Sequence, residues 1–500
     1  VGRIVLPPMS YAHEREKIGE RWPAALRFIE EHGLNEFIGA DGTERSDLGI
    51  VVQGGHCNTV LRVLERLGLA DVYGRSQLPI YVLNVAYPVV DREVLRFCEG
   101  KRAVLMVEEG QPNFIEQNVA TILLREGSKA ALHGKDILPL AGEYTQSVVL
   151  DGVREFLERY GRIAPREKAV ARAAGLAADV ATDIATDIAD HVHARPPGFC
   201  TGCPERPIFS AMKLVERELG AHHVSADIGC HLFSILPPFH LGNTTMGYGL
   251  GTAGASAFSP PGANGATEGK RAISVMGDGG FWHNGLTSGI ANAVFNRSDN
   301  LTIVVDNNYT SATGGQDLLS SKGANPSRST GHAIERAVRG VGVEWVKTVT
   351  HTFDVGQMRD ALREALTTKD KGPKVLVAQS ECMLNRQRRE KPLVKAAVAR
   401  GERVVRERFG VDADTCTGDH SCIRLSGCPS LTIKENPDPL RTDPVAAVID
   451  SCVGCGVCGE VSHAAVLCPS FYKARIVSNP TRVDRWLERA RGAVIGALQA

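Results

Sequence analysis

The feature that most constrains this 500-residue chain is a glycine-rich turn between two apolar runs, within residues 277–315. The preceding run, RAISVM, is short and β-branched, which predicts a buried strand entering a turn. We predict an amphipathic helix next and then a second buried strand, LTIVVD. A glycine turn between a strand and a helix presents backbone N–H groups to an anion, so this unit is suited to a phosphate group.

Polar residues follow the two predicted strands. Asp278 follows the first, and Asn307 follows the second 29 positions later. In a right-handed βαβ unit the two strand ends meet at one edge of the sheet, so these side chains should lie close together. Carboxylate, amide and main-chain carbonyl oxygens suit Mg²⁺, which also bridges phosphates. The alternative is a generic nucleotide-binding turn in which Asp278 only caps the helix.

The spacing from GDG to DNNYTSATGG resembles the thiamine diphosphate motif of transketolase-like enzymes. The resemblance implies that Asp278, Asn307 and the main-chain carbonyl of Tyr309 hold Mg²⁺. It also implies that the amides of Gly279 and Gly280 lie near the diphosphate.

Length and charge limit the remaining possibilities. A chain of 500 residues suggests about three or four domains. Lys plus Arg and Asp plus Glu both total 57, so the balance indicates neither nucleic acid nor an anionic membrane as a partner. We find no apolar run long enough to span a bilayer and no signal peptide, and therefore expect a cytoplasmic protein. Because the chain opens at Val1 in what resembles a domain connection, we expect it to be part of a larger polypeptide.

The order of predicted elements divides the chain into five parts. Residues 1–155 alternate strand and helix, which predicts a mostly parallel sheet. Residues 156–194 are charged and Ala-rich, and we predict a helical linker. Residues 195–401 contain the GDG motif and five strand candidates, HHVSADIG, RAISVM, LTIVVD, VEWVKTV and KVLVAQS, which indicates an open doubly wound sheet. Residues 402–476 hold seven of the thirteen cysteines and should form a metal-held module, and residues 477–500 should form a terminal helix.

The cysteine-rich segment contains a run with iron–sulfur spacing. Cys452, Cys455 and Cys458 are separated by two residues each, and Cys468 follows as part of a Cys-Pro pair. Three cysteines at this spacing followed by Cys-Pro are typical of bacterial ferredoxins. A zinc ribbon is the alternative, because tetrahedral zinc sites also use CxxC pairs.

A companion run lies upstream and lacks one cysteine. Cys416, Cys422 and Cys428 are present, but Asp419 occupies the position of the middle cysteine. We predict Asp419 as an oxygen ligand, with His420 as the alternative. The site would then hold a 4Fe-4S cluster with one labile iron, or a 3Fe-4S cluster.

In two-cluster ferredoxins the last cysteine of each run binds the other cluster. This rule predicts one group of Cys428, Cys452, Cys455 and Cys458, and another of Cys416, Asp419, Cys422 and Cys468.

A third set lies in residues 195–401 and consists of Cys200, Cys203, Cys230 and Cys382. Its spacing resembles that of the cluster nearest the thiamine in pyruvate:ferredoxin oxidoreductase and its relatives. The alternatives are a structural zinc site or plain buried thiols.

Together, FCTGCPERPIFSAMK, SADIGCHLFSILPP, GDGGFWHNG, DNNYTSATGGQ and the cysteine runs resemble the α portion of the long bacterial indolepyruvate:ferredoxin oxidoreductases. These belong to the 2-oxoacid:ferredoxin oxidoreductase superfamily, and the likeness covers nearly the whole chain. It implies an α/β protein with two doubly wound, mostly parallel-sheet domains, one transketolase-C-terminal-like and one thiamine diphosphate-binding. A small two-cluster ferredoxin-like domain should follow them.

The resemblance also implies a function: the thiamine diphosphate-dependent oxidative decarboxylation of a 2-oxo acid, an aryl pyruvate such as indolepyruvate, to an acyl-CoA. Three iron–sulfur clusters would pass the electrons to ferredoxin. We predict His283 and Asn284 as catalytic residues, with packing or helix-start hydrogen bonds as the alternative. Pyrimidine-binding and γ-type domains or subunits should complete an oligomer. A non-redox thiamine decarboxylase and an electron-transfer subunit with a vestigial thiamine fold are the competing functions.

Overall fold

The computed structural model describes residues 5–39, 46–161, 197–258, 270–321 and 331–499. The chain divides into two compact units, Val1–Arg195 and Pro196–Ala500. Residues 162–194 of the predicted linker lie outside the described residues.

The first unit is built on a five-stranded sheet in the order β1-β3-β2-β4-β5. β1 pairs antiparallel with β3, and the other neighbours are parallel. Both faces are covered, as a parallel sheet requires: Ile50 belongs to the apolar core on one face and Val51 to the core on the other. The predicted parallel sheet is confirmed. The strands are β1 (Glu36–Ile38), β2 (Leu48–Gln53), β3 (Ile80–Leu83), β4 (Ala103–Val107) and β5 (Ala131–His133).

Helices surround this sheet, and a π-helical turn (Lys17–Arg21) joins the first two. The last helix continues past the predicted domain boundary at residue 155. The helices are Met9–Glu16, Trp22–Glu31, Cys57–Arg66, Asp91–Cys98, Phe114–Arg125 and Gln146–Tyr160.

The second unit contains a five-stranded sheet in which every pair is parallel, in the order β6-β7-β8-β10-β9. Four of the five predicted strand candidates contain one of these strands, and RAISVM overlaps β7, which extends one residue further to Gly277. The strands β8 and β10 are mostly apolar and buried along almost their whole length, because helices cover both faces. The strands are β6 (Val224–Ala226), β7 (Ile273–Gly277), β8 (Leu301–Asp306), β9 (Trp345–Val349) and β10 (Lys374–Gln379).

Two apolar cores lie on the two faces of this sheet. Ile303 of β8 packs in the core that includes the helices Arg206–Leu219 and Val355–Thr367. Val304 packs in the opposite core, against the helix that follows the GDG turn. The remaining helices around the sheet are Gly251–Ser256, Ile334–Gly340 and Met383–Ala399.

The helix after the GDG turn is not a plain α-helix. It is helical over residues 278–295, with π geometry over Phe281–Ala291. Gly285 and Gly289 lie where a Cβ atom would approach Met276 Sδ and Thr252 Cβ to 2.8 and 3.1 Å. The helix therefore packs very close to its neighbours, and π turns are frequent at functional sites.

The cysteine-rich segment forms two antiparallel strand pairs and two short helices. β11 (Val404–Val411) pairs with β14 (Phe471–Ser478), and β12 (Leu431–Lys434) pairs with β13 (Val445–Val448). Strand, cysteine run, helix and trailing cysteine occur twice in this segment. The two helices and the terminal helix are Ser421–Ser426, Val457–Val466 and Arg482–Gln499.

This segment packs onto the second sheet. Leu425, Val457 and Val461 belong to the same apolar core as Ile303. The boundary predicted at residue 401 stays a prediction, because both sides lie in one compact unit. None of the helices in the described ranges combines the length and the apolar character needed to cross a lipid bilayer.

Candidate active site

The adjacent strands β7 and β8 bring three predicted ligand residues together. Their register places Gly277 opposite Val305, so both strands end at the same edge. Asp278 Oδ2 accepts hydrogen bonds from the backbone N–H groups of Asn307 at 3.1 Å and Tyr309 at 3.2 Å. The other oxygen, Oδ1, accepts the N–H of Gly279 at 2.9 Å.

The electrostatics of this edge suit a divalent cation. Asp278 is only 1 % exposed, and burial followed by the charge of Asp306 raises its pKa to about 8. A bound cation would reverse this effect, because it favours the ionised carboxylate. Asn307 Oδ1 is buried and accepts no hydrogen bond from the described residues. The residues present therefore fit a hard metal ion, with one amide oxygen still free to bind it.

Close packing explains why glycines follow Asp278. A Cβ atom on Gly279 would lie 2.2 Å from the hydroxyl of Tyr248, and one on Gly280 would lie 2.5 Å from Asp227 Oδ2. Real Cβ atoms do not make contacts this short, so larger residues would push these segments apart. The glycines leave a narrow, backbone-lined floor, which fits a diphosphate at a helix start.

A partly open cavity lies over this floor. Two of its lining residues, Glu205 and His231, were missed from the sequence. Glu205 Oε2 lies 3.9 Å from His231 Nδ1, and both Glu205 Oε2 and His231 Nε2 are buried without a hydrogen-bond partner in the described part of the chain. Burial and the charge of Asp278 raise the pKa of Glu205 to about 8, and burial lowers that of His231 to about 4.

The sequence carries a signal for Glu205 but none for His231. Glu205 lies in CPER, where two charged residues stand immediately before a mostly apolar helical segment, PIFSAM. Their place in the cavity could not be read from sequence, because more than 40 positions separate each of them from Asp278.

The predicted catalytic residues His283 and Asn284 do not line this cavity. His283 is exposed, with its ring centroid 5.3 Å from that of Tyr248. Asn284 Oδ1 is buried beside Gly249. These positions agree with the packing alternative, and a catalytic role for either residue stays a prediction.

The structure brings the first set of cysteines together next to this cavity. Burial, Glu205 and the thiols of Cys382 and Cys200 raise the pKa of Cys230 to about 12. The pKa of Cys203 is likewise raised, by burial, then Glu205, with a further contribution from Cys230. Since Cys230 also lines the cavity, this group adjoins the Asp278 site.

A second group surrounds a separate small cavity. Burial and the three other thiols of the group raise the pKa of Cys458. The cysteines lining this cavity are Cys428, Cys452, Cys455 and Cys458, the four that the crossed-pairing rule predicts.

The residues of the third predicted group, Cys416, Asp419, Cys422 and Cys468, also lie near one another, and their role as cluster ligands stays a prediction. Burial raises the pKa of Cys422 to about 11, with contributions from Cys468, Cys416 and Asp419. Both carboxylate oxygens of Asp419 accept from Ser421, one from its N–H at 3.2 Å and one from its hydroxyl at 2.5 Å. His420 Nε2 is buried with no partner among the described residues. Asp419 therefore has competing contacts, and its role as a ligand stays a prediction.

Within the described residues, no three His, Cys, Asp or Glu side chains converge closely enough to hold one metal ion. An iron–sulfur cluster presents several irons to its thiolates, so its cysteines need not converge on a single point.

The loops of the first and second groups are in direct contact. A Cβ atom on Gly202 would lie 2.4 Å from Val453 Cγ2, and the hydroxyl oxygens of Thr201 and Ser430 are 3.1 Å apart. The loop between Cys200 and Cys203 thus packs on the loop between Cys452 and Cys455.

Comparison with known proteins finds similarity to thiamine pyrophosphate enzymes and to indolepyruvate oxidoreductase subunits. A family model described as "Thiamine pyrophosphate enzyme, C-terminal TPP binding domain" matches residues 227–378. The indolepyruvate oxidoreductase subunit IorA of Pyrococcus horikoshii is 28% identical over 473 residues, which cover 90% of this chain and 64% of that protein. The same subunit of Methanothermobacter marburgensis is 28% identical over 464 residues, covering 91% of this chain and 65% of the relative.

This chain thus spans slightly less than two thirds of the length of these curated relatives. Among solved structures, a 2-oxoglutarate:ferredoxin oxidoreductase from Magnetococcus marinus covers 38% of this chain and 65% of its own, at 17% identity and a TM-score of 0.31, which is too low to carry an argument. This chain is therefore similar over at least 90% of its length to the indolepyruvate oxidoreductase subunit IorA, and its residues 227–378 match a thiamine pyrophosphate-binding domain.

Proposed function

We propose that this chain carries the catalytic centre of a thiamine diphosphate-dependent enzyme that oxidatively decarboxylates a 2-oxo acid, an aryl pyruvate such as indolepyruvate, to an acyl-CoA. Electrons leave through iron–sulfur clusters to ferredoxin. The observation that carries the proposal is that the buried Asp278 site lies next to a four-cysteine group. Cys230 of that group lines the same cavity as Asp278.

The protein's own residues hold the cofactor in this proposal. Asp278, the free amide oxygen of Asn307 and the carbonyl of Tyr309 bind Mg²⁺, while the backbone of Gly279 and Gly280 cradles the diphosphate. Bound thiamine diphosphate supplies an electron sink for loss of CO₂ from a 2-oxo acid. Glu205 and His231 add unpaired polar atoms that can orient the bound molecules.

The arrangement of the cysteines favours oxidation over simple decarboxylation. The group of Cys200, Cys203, Cys230 and Cys382 adjoins the cavity, and its loop packs on that of the second group. Cys458 of the second group shares an apolar core with Cys416 and Cys422 of the third. The three groups thus form a continuous route for single electrons, which a non-redox decarboxylase would not need.

Further partners are part of the proposal. The IorA relatives are named as subunits and are longer than this chain. We propose that pyrimidine-binding and γ-type domains or subunits complete a cytoplasmic oligomer, with coenzyme A as acyl acceptor.

An anaerobic experiment tests the function. The protein with its natural partner subunits is purified, its iron and acid-labile sulfide are counted, and ferredoxin reduction is measured with a series of 2-oxo acids and coenzyme A. We expect iron with sulfide, and activity that Asp278→Ala abolishes while Asp360→Ala, at an exposed position, leaves it unchanged.

Two outcomes would overturn the proposal. Stoichiometric zinc without sulfide would support a non-redox decarboxylase. Thiamine-independent electron transfer that survives Asp278→Ala would support an electron-transfer subunit with a vestigial thiamine fold.

A further inference from the structure

Arg206 is a buried cation with unused hydrogen-bond donors. It opens the helix Arg206–Leu219 directly after the Cys203 loop and has no solvent-exposed surface. Its Nη1 donates to the carbonyl oxygen of Ser426 at 3.2 Å, but Nε and Nη2 are buried without a partner among the described residues. Leaving charged N–H donors unsatisfied in the interior is costly, so such groups normally face a partner.

The position of Arg206 indicates what that partner is. The guanidinium lines the same cavity as Cys428, Cys452, Cys455 and Cys458. Although burial opposes it, the charges of nearby thiols, Cys428 first, raise the pKa of Arg206. Cys203, from the group nearest the active site, contributes in the same direction. In the described part of the chain, no carboxylate accepts a hydrogen bond from Nε or Nη2 of this guanidinium.

The surrounding contacts hold Arg206 in place. Ser210, one turn later on the same helix, donates its hydroxyl to the carbonyl oxygen of Leu425 at 2.7 Å. Ser426 donates its own hydroxyl to the carbonyl oxygen of Cys422 at 2.5 Å. The helix that carries Arg206 is thus tied to the segment between Cys422 and Cys428, which leaves the guanidinium little freedom to move away.

We propose that Arg206 is a positioning residue whose two unpartnered nitrogens, Nε and Nη2, donate hydrogen bonds to the sulfur atoms of the cluster held by Cys428, Cys452, Cys455 and Cys458. This inference rests on the proposed function, since it requires a cluster at that site. Reduction adds negative charge to a cluster, and a fixed positive charge with hydrogen bonds to sulfur favours the reduced form. Arg206 therefore raises the reduction potential of this cluster and draws electrons from the group that includes Cys203.

Anaerobic reductive titration followed by electron paramagnetic resonance tests the inference, on the protein with its natural partner subunits. Arg206→Met removes the positive charge. Arg206→Lys keeps the charge but lacks the planar guanidinium with its fixed N–H donors. Arg217→Met, on the exposed side of the same helix, is the matched control. Iron and sulfide are counted in each preparation before the potentials are compared.

We expect Arg206→Met to keep its iron and to shift the midpoint potential of one cluster to a more negative value. Arg206→Lys should shift it less, and Arg217→Met should not shift it. Unchanged potentials in an Arg206→Met protein with a full iron count would overturn the inference and leave the proposed function intact. If Arg206→Met loses its iron, the Arg206→Lys potential decides: a negative shift supports the inference and no shift overturns it. A wild-type protein without iron and sulfide would instead refute the proposed function.

Discussion

Gly202 and Val453 lie so close together that a Cβ atom on Gly202 would stand 2.4 Å from Val453 Cγ2. They belong to two cysteine loops that are 250 positions apart in the sequence. Gly202 also has a φ of +72°, which favours glycine over any residue with a side chain. The contact between these two loops therefore depends on a residue that has neither a Cβ atom nor a backbone restriction.

Gly202→Ala should destabilise the second unit by more than the backbone strain of a left-handed alanine alone. The left-handed conformation costs about 1–2 kcal/mol for alanine, and the contact with Val453 adds about 1–3 kcal/mol. Gly401→Ala is the control, because Gly401 has a φ of +79° and open space around it. Anaerobic thermal unfolding should give a clearly lower Tm for Gly202→Ala. Equal Tm values for the two variants would contradict the tight contact.

Gly279→Ala should weaken binding of thiamine diphosphate with Mg²⁺ by about tenfold or more, because overpacking of this kind costs about 1–3 kcal/mol. The added methyl group would lie 2.2 Å from the Tyr248 hydroxyl. Removing that oxygen in the double variant Gly279→Ala/Tyr248→Phe should recover part of the affinity, as measured by isothermal titration calorimetry. Gly340→Ala, which has open space, should bind normally. A double variant no better than the single one would argue against this packing.

Variants at two neighbouring positions, Asp419 and His420, identify the non-cysteine ligand of the third cysteine group. We expect Asp419→Ala to lower the iron count and to change the paramagnetic resonance spectrum of one cluster, because Asp419 contributes to the electrostatics at Cys422. His420→Ala should leave both unchanged. The reverse result would assign the buried His420 Nε2 as the ligand and would remove Asp419 from the site.

Asp299 should make the stability of the second unit depend on acid pH. Although burial opposes it, hydrogen bonds from Arg271 and Lys374 lower the pKa of Asp299. A lowered carboxyl pKa adds stability that is present above the unfolded-state value, about 3.9, and is lost as the pH falls through the folded-state value. Lys374 is fully buried, so Asp299→Asn leaves a buried cation poorly paired.

We expect Asp299→Asn to lower the free energy of unfolding at pH 7 by about 3 kcal/mol, near the lower end for a broken buried pair because Asp299 is partly exposed. The variant should lose less stability than the wild type when the pH is lowered below about 4. Asp360→Asn, at an exposed pair with Arg363, should cost less than about 1 kcal/mol. Urea unfolding at pH 7 and below about pH 4 measures these differences. An equal loss of unfolding free energy on acidification in Asp299→Asn and the wild type would refute the assignment of this pH dependence to Asp299.

Much of the fold follows from local sequence patterns. LTIVVD and KVLVAQS predict buried parallel strands because a strand covered on both faces is mostly apolar rather than alternating between apolar and polar residues. β1 and β5 escaped prediction, since three residues are too few to establish a period. The π geometry over Phe281–Ala291 also escaped, because it comes from how closely the glycine-rich helix packs on its neighbours.

The sequence by itself determined the types and spacing of the chemical groups: the GDG turn and its distant asparagine, and the cysteine runs. These are legible because each depends on residue type at fixed intervals along one segment. Only the tertiary structure placed Glu205 and His231 over Asp278, left the donors of Arg206 unpaired beside four thiols, and set Gly202 against Val453. Such neighbours come from chain segments far apart in sequence, and it is the packing of helices and loops onto a common core that brings them together.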